Sequence, residues 1–282
     1  MRLALCNEVL SPQPWAAQCA HAAALGYQGL ELAPFTLGDA PWAMPEAERT
    51  VLRRAAADAG VVVSGLHWLL REPAGLSITS PDAAVRARTL DILRRLVGLC
   101  ADLGGEVLVH GSPGQRRLPR DPALHGEPRR RALDIFAAVA EDAQAAGVLY
   151  CIEPLAPPEA NFIQTVAEAA AIVQSLQRPA LRTMVDTCAA ARAEAEPVHE
   201  LLARWLPTGL IAHLQFNDPN HRGPGQGALR FGPILRALRE HHYAGWIAVE
   251  PFDYHPDGPG AAARAIGYLH GLRDAQMESL DP

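Results

Sequence analysis

HLQFNDPNHRGPGQGALRFGPILRALREHHYAGWIAVEPF, residues His213 to Phe252, decides how the rest of the chain is read. The apolar run GLIAHLQF (209–216) leads into polar groups at His213, Gln215, Asn217 and Asp218, and the Gly/Pro-rich turn RGPGQG (222–227) follows. FGPILRALREHH (231–242) then carries Ile234, Leu235 and Leu238 at helical spacing, and GWIAVEPF (245–252) is a second apolar run ending in Glu250-Pro251. This predicts strand, loop, helix, strand, with polar side chains at the C-terminal end of each strand. In a parallel βαβ unit ligand groups are presented there.

The same unit repeats toward the N-terminus. RLALCN (2–7), GLELAP (29–34), VVVSGLHWLL (61–70), EVLVHGSP (106–113), VLYCIEP (148–154) and LRTMVDT (181–187) read as strands. Helices are expected from near Ser11-Pro12 to a stop at Gly26, over 45–60 with Gly60 closing, and from a Ser80 cap with Pro81 in the first turn to Leu103. Further ones should run up to Gly147, from about Thr165 to Leu176, between Glu196 and Leu206, and over 261–275. Eight strand–helix units without a change in composition predict one (β/α)8 TIM barrel over residues 1–282, for which 282 residues is an ordinary length.

Composition narrows the function. With 49% hydrophobic and 20% charged residues the chain can bury a core, and a formal net charge of −6 argues against a nucleic-acid partner. The sequence has no lysine, so all 25 basic residues are arginine, which excludes Schiff-base and lysine-anchored pyridoxal chemistry. Five cysteines without a CxxC pair read as buried free thiols in a reducing compartment. The N-terminal apolar stretch is too short for a signal peptide and no run suits a membrane span, so a cytoplasmic protein without a membrane partner is expected.

The strand ends collect Asn7 and Glu8, Glu31, His67, His110, Glu153, Asp186, His213 with Gln215, and Glu250, each about one repeat from the next. A barrel brings all of them round one mouth. Glu153, Asp186, Gln215 and Glu250 come from successive strands and offer three carboxylates and one amide oxygen. Crowded carboxylates repel unless a cation neutralises them. An oxygen-only set suits one hard divalent ion, Mn²⁺ or Mg²⁺ before Zn²⁺ or Co²⁺. The competing reading has each acid cap a helix or pair with an arginine.

The phrases CIEPL (151–155), VDT (185–187), HLQFND (213–218), GPGQG (223–227) and GWIAVEPF (245–252) resemble the sugar phosphate isomerase/epimerase superfamily, with its xylose isomerase-like TIM barrel. That superfamily takes in ketose 3-epimerases, hydroxypyruvate isomerase and inosose dehydratase, with endonuclease IV among its fold relatives. The resemblance implies a metal held at Glu153, Asp186, Gln215 and Glu250, with Glu153 and Glu250 as the acid/base pair. One departure stands at the seventh strand, where the epimerase His-x-His is His213-Leu214-Gln215; Gln there resembles hydroxypyruvate isomerase. His213 faces the same side of the strand and competes with Gln215 as ligand.

By the same resemblance Glu159, six residues after Glu153, matches a substrate-binding glutamate, although its loop also suits a solvated charge. The histidine often found three residues after the strand-six aspartate is Ala189, and the loop arginine falls on His221, with Arg222 beside it. His67, Trp68 and His110 are further candidates for the substrate wall, with ordinary packing as the rival reading. For Glu8 and Glu31 ion pairing at the barrel top is expected, and Arg116, Arg117 and Arg120 form the one cluster suited to a phosphate.

The expected activity is therefore a metal-dependent isomerase or epimerase of a small polyhydroxy carbonyl compound, acting by proton transfer through an enediolate. The alternative is a metal-dependent lyase or dehydratase acting on a keto-sugar, keto-inositol or 3-keto-glycoside at the same site. An endonuclease IV-like phosphodiesterase fits less well, since that family resembles a histidine-rich three-zinc site. The partner is a small carbohydrate-like molecule, with a homo-oligomer as the other association considered.

Overall fold

In a computed structural model, residues 1–278 are described. Eight strands close into one parallel barrel in sequence order: β1 (Arg2–Cys6), β2 (Gly29–Leu32), β3 (Val62–Leu66), β4 (Val107–His110), β5 (Leu149–Ile152), β6 (Leu181–Asp186), β7 (Ile211–Phe216) and β8 (Trp246–Val249). The helices between and after them are α1 (Trp15–Leu25), α2 (Glu46–Asp58), α3 (Ala83–Asp102), α4 (Gly126–Ala146), α5 (Val166–Leu176), α6 (Thr187–Ala193), α7 (Val198–Trp205), α8 (Phe231–Glu240) and α9 (Gly258–Glu278). The barrel closes where β1 pairs with β8, Ala4 beside Ala248 and Leu5 beside Val249.

Side-chain alternation decides which residues meet inside the barrel. Val107 and Val109 of β4, Cys151 of β5 and Met184 of β6 form one small apolar cluster. Their neighbours Leu108, Tyr150 and Ile152 pack instead with the helical layer, against residues such as Phe136 and Val139. At β3 a glycine is required. A methyl group built on Gly65 would lie 2.2 Å from the Val107 carbonyl oxygen, so any side chain would force β3 and β4 apart.

Helix ends follow the side chains available. Gly26 (φ 95°) and Gly147 (φ 72°) close α1 and α4 in the left-handed conformation expected of them. The start of α3 differs from the expected Ser80-Pro81. Asp82 is the cap, its carboxylate accepting from the Ala84 amide at 2.8 Å, while Ser80 accepts from the Asp82 amide one step earlier. A carboxylate is the better acceptor at a helix N-terminus. The region after β6 holds two helices rather than one: α7 lies where a helix is expected, and α6 begins directly at Asp186.

All five cysteines are buried and free, as expected. No helix among the described residues is long and apolar enough to cross a membrane.

Candidate active site

The C-terminal ends of the strands surround a cavity of about 500 Å³, and Glu153, Asp186 and Glu250 all line it. One carboxylate oxygen from each lies within 4.8 Å of the other two. The backbone explains the convergence. Cys151 and Met184 point into the barrel, so Glu153 and Asp186, two residues further on, emerge on the same side. Gln215 pairs across the sheet with Asp186 on one side and Ala248 on the other, which places Glu250 next in line.

Asp186 is held by its neighbours. Its Oδ1 accepts from the Ala189 amide at 2.6 Å, capping α6, and its Oδ2 accepts from the Asn217 side-chain amide at 2.7 Å. Asn217 also donates to the Glu250 carbonyl at 3.2 Å and accepts from the Cys188 amide at 2.8 Å, so one side chain ties together the ends of β6, β7 and β8. Glu153 depends on a missing side chain: a methyl group built on Gly111 would lie 1.7 Å from its Oε2.

Burial dominates the electrostatics. It pushes the Glu153 carboxyl up to about 8, with the Asp186 charge adding and the Arg116 guanidinium opposing. Asp186 is pushed up to about 6 by burial, against hydrogen bonds from Ala189 and Asn217. Glu250 is also raised well above the carboxylate range by burial, against the pull of His67, with Glu153 and Asp186 adding to the rise. Three buried acids that resist simultaneous ionisation are a group whose repulsion a cation would relieve.

Beside them lies a second group, Cys6, Glu8, His67 and Glu250, also close enough to share an ion. Here the ring nitrogens are already engaged. His67 Nδ1 lies 2.9 Å from Glu31 Oε1 and Nε2 lies 3.0 Å from Glu8 Oε2, so His67 pairs with carboxylates from both sides. Burial works against its charge, yet Glu8, Glu31 and Glu250 raise its proton affinity well above the ordinary histidine value. This group is an internal ion-pair network, as expected for Glu8 and Glu31. Glu31 is fully buried beneath the strand ends it pairs with.

The seventh-strand pair separates at Glu31. His213 Nε2 lies 2.6 Å from Glu31 Oε2. Gln215 donates its amide nitrogen to Glu31 Oε1 at 2.8 Å. With the nitrogen committed to the carboxylate, the amide oxygen is the other end of the group. Gln215 Oε1 is buried and has no hydrogen-bond partner among the described residues, a position that a cation would satisfy. Glu153, Asp186, Glu250 and Gln215 Oε1 are thus a donor set that fits a hard divalent ion, while His213 is oriented toward Glu31.

Of the remaining sequence candidates, His67, Trp68, Glu159 and His221 line the cavity. Glu159 is ion-paired with Arg192 at the rim rather than solvated alone. His110 is a correction. The alternation that turns Val109 inward turns His110 toward the helices, where its Nδ1 meets the Tyr150 hydroxyl at 2.6 Å and its ring packs on Phe136. Burial and the nearby Arg116 charge lower its proton affinity to about 3, so it stays neutral.

Arg222 is not among the residues that line the cavity. Its Nε donates to Asp253 at 2.8 Å, because the loops after β7 and β8 are laced together there. The expected arginine cluster disperses as well, since Arg116 is fully buried and donates to the His110 carbonyl. Asn217 and Gly111 were not among the sequence candidates. Asn217 stands in the quoted HLQFND phrase, and its signal is a polar side chain one step past a strand end.

The model of the xylose isomerase-like TIM barrel family matches residues 19–272, and the chain belongs to that family. Among its sequence relatives, a D-psicose 3-epimerase of Agrobacterium fabrum is 26% identical over 233 residues, covering 82% of this chain and 76% of the relative. An L-ribulose 3-epimerase of Mesorhizobium japonicum is 30% identical over 206 residues, covering 71% of this chain and 65% of the relative. A crystal structure of a D-psicose 3-epimerase in the presence of D-fructose superposes with a TM-score of 0.80 at 21% identity, over 96% of this chain and 99% of that one, a likeness of fold.

Proposed function

We propose that the protein is a divalent-metal-dependent epimerase or isomerase of a small polyhydroxy carbonyl compound. The observation that carries this is the convergence of Glu153, Asp186 and Glu250 within 4.8 Å at the floor of a sugar-sized or larger cavity. The 3-epimerase relatives support epimerisation, and for that reason elimination from the same site is not carried further. Glu153, Asp186, Glu250 and Gln215 Oε1 are the proposed ligands, and the all-oxygen set favours Mn²⁺ or Mg²⁺. When bound, the ion supplies positive charge to the carbonyl and hydroxyl oxygens of the substrate.

The protein's own groups move the proton. One of Glu153 and Glu250 removes it from the carbon beside the carbonyl, leaving an enediolate. The other, already protonated, delivers its own proton, to the opposite face in an epimerisation or to the neighbouring carbon in an isomerisation, and the first keeps the one it removed. Burial raises the proton affinity of both acids above the ordinary carboxylate range in the metal-free protein. His67 Nδ1, 3.8 Å from Glu250 Oε1, opposes that rise. Asn217 and the Ala189 amide fix Asp186, which has the positioning part.

Incubation with keto-sugars in deuterated water tests the reading. Mn²⁺-loaded protein should introduce deuterium beside the carbonyl. Glu250→Gln should retain metal yet exchange about 10²- to 10⁴-fold more slowly. Exchange by Glu250→Gln within about threefold of the parent, far short of the loss expected for a general base, would remove Glu250 from the proton transfer.

A further inference from the structure

We infer that the wall of the cavity formed by Trp68, Phe252 and His221 is a subsite for an apolar ring, so that the substrate is a keto-sugar bearing an aryl or comparably apolar substituent. The inference rests on the proposed function for the placing of the sugar end at the carboxylates. Size is the first argument. A free ketohexose has about a dozen non-hydrogen atoms; even at the ~30 Å³ that a water occupies in the liquid they fill roughly 360 Å³, less than the cavity of about 500 Å³.

The second argument is the chemistry of the lining. Beyond the three acids and His67, the cavity is walled by Trp68, Pro113, Leu155, Cys188, Ala189 and Phe252. Of the charged groups among the rest, Glu159 is paired with Arg192 and Asp253 with Arg222, and the His221 imidazole packs against the Phe252 ring. A polyhydroxy tail would trade its water for few partners on so apolar a wall, whereas an apolar ring gains contact area.

The third argument is that the wall is assembled and held. Phe252 meets Trp68 edge-on at 6.3 Å between centroids and meets the His221 ring at 6.1 Å. The backbone amides of Phe252 and Asp253 both donate to the His221 carbonyl, at 2.7 and 2.8 Å. Trp68 (φ 52°) and His221 (φ 66°) sit in the left-handed region, uncommon for residues with side chains and concentrated at ligand clamps. Phe252 nonetheless leaves 45% of its surface exposed, apolar area that a bound ring would cover.

Calorimetric titration of chelator-treated protein with the phenyl and methyl β-glycosides of 3-keto-glucose tests the subsite without turnover. The phenyl compound should bind about tenfold more tightly or better, as burial of an aromatic ring allows. That preference should shrink to about twofold in Phe252→Ser and in Trp68→Gly, which suits the left-handed backbone, and return in Phe252→Tyr. Equal affinities in the parent, no binding of either glycoside, or a preference untouched by both variants would each overturn the inference. Deuterium exchange on the Mn²⁺-loaded protein separates the two readings. Equal exchange into both glycosides keeps the epimerase and sinks the subsite. A phenyl preference in binding with no exchange does the reverse.

Discussion

Asn217 donates its side-chain amide to Asp186 Oδ2 at 2.7 Å, and the same nitrogen lies 3.2 Å from the Glu250 carbonyl oxygen. A single residue therefore sets the position of one proposed metal ligand and of the strand that carries another. Removing it leaves Asp186 capping α6 through Oδ1 alone, with a carboxylate free to rotate.

Asn217→Ala is accordingly predicted to weaken Mn²⁺ binding by about 10- to 100-fold, the usual effect of losing a group that orients a ligand. Asn217→Asp should be worse, since it adds a fourth acid beside three that already resist ionisation. Equilibrium dialysis of the variants against Mn²⁺ checks both, and parent-like affinity in Asn217→Asp would sink the positioning role.

The fold was legible because its signal repeats: strand after strand ends in polar residues about one βα unit apart, and no other arrangement gathers them at one mouth. The three acids were legible for the same reason. His110 was misplaced because strand ends tell where a side chain sits along the barrel axis, not which face it takes. The face is fixed by alternation from Val107 and Val109, whose inward packing is a tertiary fact. Asp186 satisfied both rival readings at once, capping α6 while converging with Glu153 and Glu250. Gln215 and His213 could not be separated on the strand because both face inward; Glu31, from the far side of the barrel, distinguishes them.

Gly111 supplies a second prediction. The group that an alanine methyl would strike is the tip of the Glu153 side chain, not backbone, so the chain can relieve the contact by swinging the carboxylate aside. Gly111→Ala should therefore fold with a melting temperature close to the parent's while losing most metal binding and deuterium exchange. Calorimetry and metal analysis on the same preparation check it. A variant that keeps full metal content shows that Glu153 does not need this space.

The last prediction concerns pH. Glu153 at about 8, Asp186 at about 6 and Glu250, also raised, hold protons in the folded metal-free protein that an unfolded chain releases near pH 4. Over that interval the folded state binds more protons than the unfolded one, so stability falls as pH rises. His67, raised above the ordinary histidine value, acts in the same direction at higher pH. Glu31, buried but held low by His213 and His67, acts oppositely: its contribution is present above the ordinary carboxylate range and is lost on acidification, outside this window. Chelator-treated protein should thus melt lower at pH 8.5 than at pH 5.5, by roughly 5 °C or more at about 2–4 °C per kcal/mol for a chain of this size. Added Mn²⁺ should raise the melting temperature more at pH 8.5, because fewer protons must leave before the ligands can bind. A melting temperature that rises with pH without metal, or a metal effect equal at both pH values, would show that these three acids do not form the site.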